Sequence, residues 1–98
     1  MSRFRVSRTA ARDLDEIVEF IARDSIDAAA AWVEMMYERF SYVAGMPGVG
    51  TPRDELQPGL RGLSAGDYLI LYRRTRAGVT IVRVVHGSRD LRRVVQGP

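Results

Sequence analysis

Residues 67–87 read DYLILYRRTRAGVTIVRVVHG, and this stretch decides the fold. Asp67 to Arg74 is apolar on both faces at its centre, Arg76-Ala77-Gly78 carries turn chemistry, and Val79 to Gly87 is rich in β-branched residues with Arg83 set inside it. Two such runs, so closely spaced, predict two antiparallel strands joined by a tight turn. Just upstream, Leu60 to Ser64 ends at a second turn, Ala65-Gly66, and predicts a short preceding strand. Residues 45–59 hold four glycines and three prolines and read as the longest loop.

Further toward the N-terminus the period changes. Ala29, Trp32, Val33, Met36, Phe40 and Val43 fall on one helical stripe, which predicts a helix from a cap at Ser25 or Asp27 to about Ala44. Ala10, Leu14, Ile17, Val18 and Ile21 predict another, from Ala10 to about Arg23, capped by Ser7 or Thr9. Asp13, Asp15 and Glu16 lie near its start, where the helix dipole favours them. The short break at residues 24–27 makes the pair an antiparallel hairpin. Residues 3–7 alternate polar and apolar, a short strand signal. Beyond Ser88 the chain is polar and basic, with Leu91, Val94 and Val95 as weak anchors, and residues 92–98 read as a fraying tail. The order strand, two helices, strands is α+β: a helical hairpin packed on a small antiparallel sheet, one domain over residues 1–98.

Composition narrows the function classes. No apolar run approaches the ~20 residues a bilayer span needs, and the first ten residues have no apolar core of a secretory signal, so no membrane association and a cytoplasmic location are expected. The chain has no cysteine and one histidine, His86, which argues against a metal site. No cofactor is expected. All fifteen basic residues are arginine, so every cationic head is a planar, permanently charged fork and no lysine amine is available as a base. A net charge of +3 and pI near 9.9 favour acidic partners, nucleic acid or an acidic protein segment, without choosing between them.

A ribonuclease site can be drawn from His86 as the group titrating near neutrality, Arg83 as charge stabiliser and Tyr72 from the central strand. Each residue also has an ordinary structural role: hydrogen-bonding, pairing with a carboxylate, filling a core edge. The Gly-rich run Met46 to Thr51 has no following lysine and reads as a turn, not a phosphate loop. Arg73, Arg74, Arg76, Arg83, Arg89, Arg92 and Arg93 gather in the C-terminal third and could track phosphates, and all of these but Arg76 form a candidate surface for a protein target. On the second helix, Ala28, Trp32, Met35 and Tyr42 make a further apolar row beside the core stripe. Either the sheet absorbs it, or it receives a partner helix with Trp32 and Met35 as anchors.

At this point several segments, in order, resemble one family. Asp13-Leu14-Asp15-Glu16-Ile17 with Phe20-Ile21-Ala22 is similar to the first helix of ParE-type toxins of the ParE/RelE superfamily. Met46 to Gly50 and Gly59-Leu60-Arg61 resemble their loop and the next strand, Asp67 to Arg73 their central strand, and Val82 to Leu91 their closing motif. The resemblance implies a RelE-like fold, a ParD-type antitoxin as partner, and toxicity through DNA gyrase exerted by a protein-binding toxin with no catalytic residue of its own. The alternative is ribosome-dependent mRNA cleavage of the RelE type, carried by His86, Arg83 and Tyr72.

Overall fold

The computed structural model describes residues 3–96. The chain runs β1 (Arg3–Val6), α1 (Arg8–Ala22), α2 (Ile26–Gly45), β2 (Thr51–Pro52), β3 (Leu60–Ala65), β4 (Tyr68–Thr75), β5 (Gly78–His86) and α3 (Leu91–Gln96). The five strands form one sheet in the order β1-β5-β4-β3-β2. β1 lies parallel to β5, and the other neighbours are antiparallel.

Ser7 starts α1: its hydroxyl accepts the Ala10 N–H at 3.0 Å and donates to the Val82 carbonyl at 3.0 Å, so one side chain caps the helix and fastens it to β5. Ser25, not Asp27, caps α2 by accepting the Ala28 N–H. Because α1 opens at Arg8, its first turn contains no acidic residue. Asp13 therefore sits too far along the helix for the dipole role the sequence suggested, and serves instead as an ion-pair partner, described below.

The helical hairpin covers one sheet face. Ala10, Leu14, Met36, Phe40 and Val43 pack there against Ile70, Tyr72, Val79, Ile81 and Val84. Val79, Ile81 and Val84 share that face despite their uneven spacing because the β4–β5 register shifts at Leu71/Tyr72: Leu71 pairs with Arg83 and Tyr72 with Ile81, leaving Val82 as the extra residue of a bulge. The opposite face is covered over its middle by Leu56, Leu91 and Val95, which pack around Leu60, Leu69, Leu71 and Val82.

Two segments differ from the sequence expectation. Residues 92–96, expected to fray, lie instead in a helix, Leu91–Gln96, because Leu91 and Val95 have an apolar floor in Leu71 and Leu56; residues 97 and 98 lie outside the described residues. The 45–59 loop contains β2, a two-residue strand paired with Arg61 and Gly62. Among the described residues no helix is long and apolar enough to cross a membrane.

Candidate functional site

The three residues of the nuclease reading are built into different parts of the molecule. Tyr72 is fully buried, and its hydroxyl donates to the Pro47 carbonyl at 2.8 Å and accepts the Gly50 N–H at 2.8 Å. That oxygen fastens the glycine-rich loop to β4 and has no exposed position from which to act. Arg83 makes a two-pronged pair with Asp13, Nε to Oδ2 at 2.8 Å and Nη2 to Oδ1 at 2.9 Å, and also donates to the Val94 carbonyl at 3.0 Å. The Asp13 carboxylate raises the Arg83 pKa through these hydrogen bonds, against the opposing effect of partial burial. Asp13 Oδ2 also accepts the Val84 N–H at 3.0 Å, beside the bulge. One carboxylate thus serves α1, a backbone N–H of β5 and the guanidinium that reaches α3.

His86 is exposed at the far end of β5. Its Nδ1 accepts the Ser88 N–H at 3.2 Å and lies 2.7 Å from the Ser88 hydroxyl, so the neutral ring carries its proton on Nε2. Its strand partner is Tyr68, not Tyr72. Four residues of strand, about 13 Å, separate those two tyrosines.

What does gather at this end is aromatic. The Tyr68 ring stands edge-on to His86 with centroids 5.5 Å apart and edge-on to Trp32 at 5.3 Å. Glu16, Ile17 and Phe20 of α1 close the other side, with Arg89 at the rim, around a cavity of about 180 Å³. The Trp32 Nε1 is buried and has no hydrogen-bond partner among the described residues. A buried donor left unpaired is costly, which makes it the most conspicuous polar atom near the cleft. Chemically, the cleft offers an apolar and aromatic floor with two carboxylates, Asp13 and Glu16, and two basic side chains, His86 and Arg89, around it, of which Asp13 is already held by Arg83. Among the described residues no three of His, Cys, Asp and Glu come together as a metal site would need.

Comparison with known proteins decides the family. The family described as the ParE toxin of type II toxin–antitoxin systems, parDE, matches residues 4–91. The chain belongs to the ParE toxin family. It is 32% identical over 93 residues to the toxin ParE1 of Caulobacter vibrioides, covering 94% of this chain and 96% of that protein. It is 34% identical over 94 residues to the toxin ParE1 of Mycobacterium tuberculosis, with the same coverage. Among solved structures, a chain of a chromosomal ParDE system from P. aeruginosa superposes with a TM-score of 0.73 at 23% identity over 88% of this chain and 96% of that one, a likeness of fold. A chain of the RelBE2 toxin–antitoxin complex of Mycobacterium tuberculosis gives 0.55 at 28% identity, covering 87% and 96%. The α+β, RelE/ParE-like fold expected from the sequence is the one found.

On this ParE fold the apolar row of α2 is divided. Trp32 and Met35 are half-buried and pack against the main core, Trp32 on Tyr68, so the sheet absorbs that part of the row. Ala28 and Tyr42 remain exposed. Other large apolar side chains are exposed outside the row: Phe20 (63%), Ile26 (77%) and Met46 (56%). Phe20 was discoverable, since it lies off the buried stripe of its helix. Ile26 was not, because its place at the first turn of α2 depends on where the helix starts.

The seven arginines of the C-terminal third do not form one surface, and Arg76 stands at the β4–β5 turn. Arg83 is committed to Asp13, and Arg73 donates to the Pro58 carbonyl and to Gln57 Oε1. Arg74 is exposed near the β4–β5 turn, whereas Arg89, Arg92 and Arg93 are exposed beyond the opposite end of β5, on and just before α3.

Proposed function

We propose that this toxin works in the cytoplasm by binding a protein target, DNA gyrase, and that a ParD-type antitoxin neutralises it. The observation that carries the binding reading is the commitment of Arg83. Cleaving RNA by 2′-hydroxyl attack needs a proton acceptor, a proton donor and a charge stabiliser around one phosphate. The arginine suited to the last role is held on both prongs by Asp13, and the Tyr72 hydroxyl is used up by backbone on another part of the sheet. A toxin that inhibits by binding needs only a surface that prefers one state of its target. Family membership supports the toxin half of the proposal.

For the antitoxin, the helical hairpin is the proposed dock. Ala28 and Tyr42 mark a track about 21 Å long on α2 at 1.5 Å per residue, and Trp32 and Met35 form its half-buried floor. An amphipathic antitoxin helix laid along this track would add its own apolar face to theirs.

The nuclease alternative is kept by one observation, that exposed His86 shares a cleft with Tyr68 and Arg89. Expression without antitoxin separates the two. The gyrase reading expects an early DNA-damage response with translation intact, and toxicity largely kept in His86→Ala. Early codon-specific cuts in ribosome-bound mRNA, abolished by His86→Ala, would overturn it in favour of the nuclease.

A further inference from the structure

At the end of the sheet away from His86 the arginines are arranged differently. Parallel pairing sets Arg3 opposite Gly78 and Arg5 opposite Thr80. Phe4 and Val6 turn into the core, so Arg3 and Arg5 both project from the opposite face, about 6.6 Å apart along the strand. Thr80 lies between core-facing Val79 and Ile81 and therefore shares that outer face. Among the described residues the cover of this face reaches Val82 and ends there, which leaves the rows of Arg5, Thr80 and Arg3 without an apolar lid from them.

The approach of β1 to the turn is close. A Cβ on Gly78 would stand 1.8 Å from the Arg3 carbonyl oxygen, and Gly78 has φ +151°. Glycine at this point lets the N-terminal strand bring its arginines against the β4–β5 turn. Together Arg3, Arg5, Arg76, Thr75 and Thr80 line a hollow of about 380 Å³ that contains no carboxylate. Among the described residues none of these three arginines has an ion-pair partner.

We propose that this end of the sheet, built from Arg3, Arg5 and Arg76 with the hydroxyls of Thr75 and Thr80, binds the phosphate backbone of duplex nucleic acid. Three features select that partner. Guanidinium forks and hydroxyls are the groups that contact phosphate oxygens without reading sequence. The hollow offers no exposed aromatic platform on which single-stranded bases could stack, because Phe4, its one aromatic residue, is half-buried with its ring edge-on to Tyr37 and Phe40. Among the described residues it also has no large exposed apolar anchor of the kind at the centre of protein interfaces. The surface is distinct from the helical hairpin, and the inference does not rest on the gyrase reading.

The test is fluorescence anisotropy of the full-length toxin with labelled duplexes of about 20 base pairs and unrelated sequences, against increasing salt. Three phosphate contacts predict a slope of log K on log salt near −2.7, or a loss of about 40-fold in affinity from about 50 to about 200 mM salt. Arg5→Ser with Arg76→Ser should reduce the slope by about two, equally for every sequence. Arg8→Ser with Arg23→Ser, exposed arginines elsewhere, should leave it unchanged. Arg5→Lys with Arg76→Lys should retain most of the slope, since the charges remain. Far-UV circular dichroism of each variant checks that the fold is kept. No duplex binding at about 50 mM salt, or binding indifferent to Arg5→Ser with Arg76→Ser, overturns the proposal. Tighter binding of a polyglutamate peptide than of duplex also overturns it and assigns the surface to an acidic protein segment.

Discussion

β4 and β5 run side by side from the Tyr68–His86 pair to the Thr75–Gly78 pair, and their two ends carry different chemistry. At the first end Trp32, Tyr68 and His86 form a ladder of rings, α1 adds Ile17 and Phe20, and the Asp13–Arg83 pair locks the bulge behind them. At the second, glycine replaces bulk, β1 closes in, and Arg3, Arg5 and Arg76 stand on a face that has neither ion-pair partner nor apolar cover for them among the described residues. The difference shows that arginine count alone says little about binding in this toxin. Arg83 is a structural tie because a carboxylate meets it, whereas among the described residues no carboxylate meets Arg5 or Arg76.

The largest effect expected from breaking this contrast is at the turn. Gly78→Ala forces a Cβ into the Arg3 carbonyl and should cost about 3 kcal/mol or more through overpacking and backbone strain. For a chain of this size that lowers Tm by at least about 12 °C. Gly66, with φ +60° but nothing within 4 Å of an added Cβ, is the control and should lose only about 1 kcal/mol on conversion to alanine. Equal losses in thermal denaturation would mean that the approach of β1 is not what Gly78 protects.

Next is the tie at the aromatic end. Asp13→Ala leaves the Arg83 guanidinium and the Val84 N–H without their acceptor and should cost about 2–3 kcal/mol. A double-mutant cycle with Arg83→Ala should show coupling, and additive losses would refute the tie. Because Asp13 raises the Arg83 pKa further above its already strongly alkaline ordinary value, the guanidinium keeps its charge throughout the neutral range and would lose its contribution only as pH rises through that raised value. Arg83 therefore adds no pH dependence to stability near neutrality.

Trp32 sharpens the same end more finely. Trp32→Ala removes ring contacts with Tyr68 and the core and should cost about 3 kcal/mol. Trp32→Phe keeps an aromatic ring and deletes the unpaired N–H, so stability should stay within about 1 kcal/mol. If Trp32→Phe leaves stability alone but weakens antitoxin binding tenfold or more in calorimetric titration, the N–H donates to the antitoxin; no change in binding restricts Trp32 to packing. The smallest effect is expected from His86→Ala, an exposed position, at under about 0.5 kcal/mol.

Much of this architecture was legible because it rests on local periodicity. The Ala29-to-Val43 stripe and the β-branched run after Val79 each have one sensible burial pattern. What stayed hidden depends on distant partners. Asp13 and Arg83 are 70 residues apart, so nothing near either residue shows that they pair. The parallel seating of β1 on β5 is equally non-local, and it brings Arg3 and Arg5 beside the β4–β5 turn that carries Arg76. The α3 helix was missed because Leu91 and Val95 are too few apolar residues to demand a helix until Leu56, from the glycine- and proline-rich loop, supplies their floor. Tyr72 could be assigned to a strand but not to its task, since its hydroxyl partners Pro47 and Gly50 lie in that same loop.

Action by binding gyrase and action by cutting RNA are separated most sharply on gyrase itself. The most direct test is a supercoiling assay with purified gyrase and relaxed plasmid, run with wild-type toxin, with His86→Ala, and with toxin premixed with its antitoxin. If the toxin acts on gyrase, the first two should inhibit at similar concentrations and the third not at all. Full supercoiling at every toxin concentration, from a preparation that still arrests growth when expressed, would contradict action on gyrase.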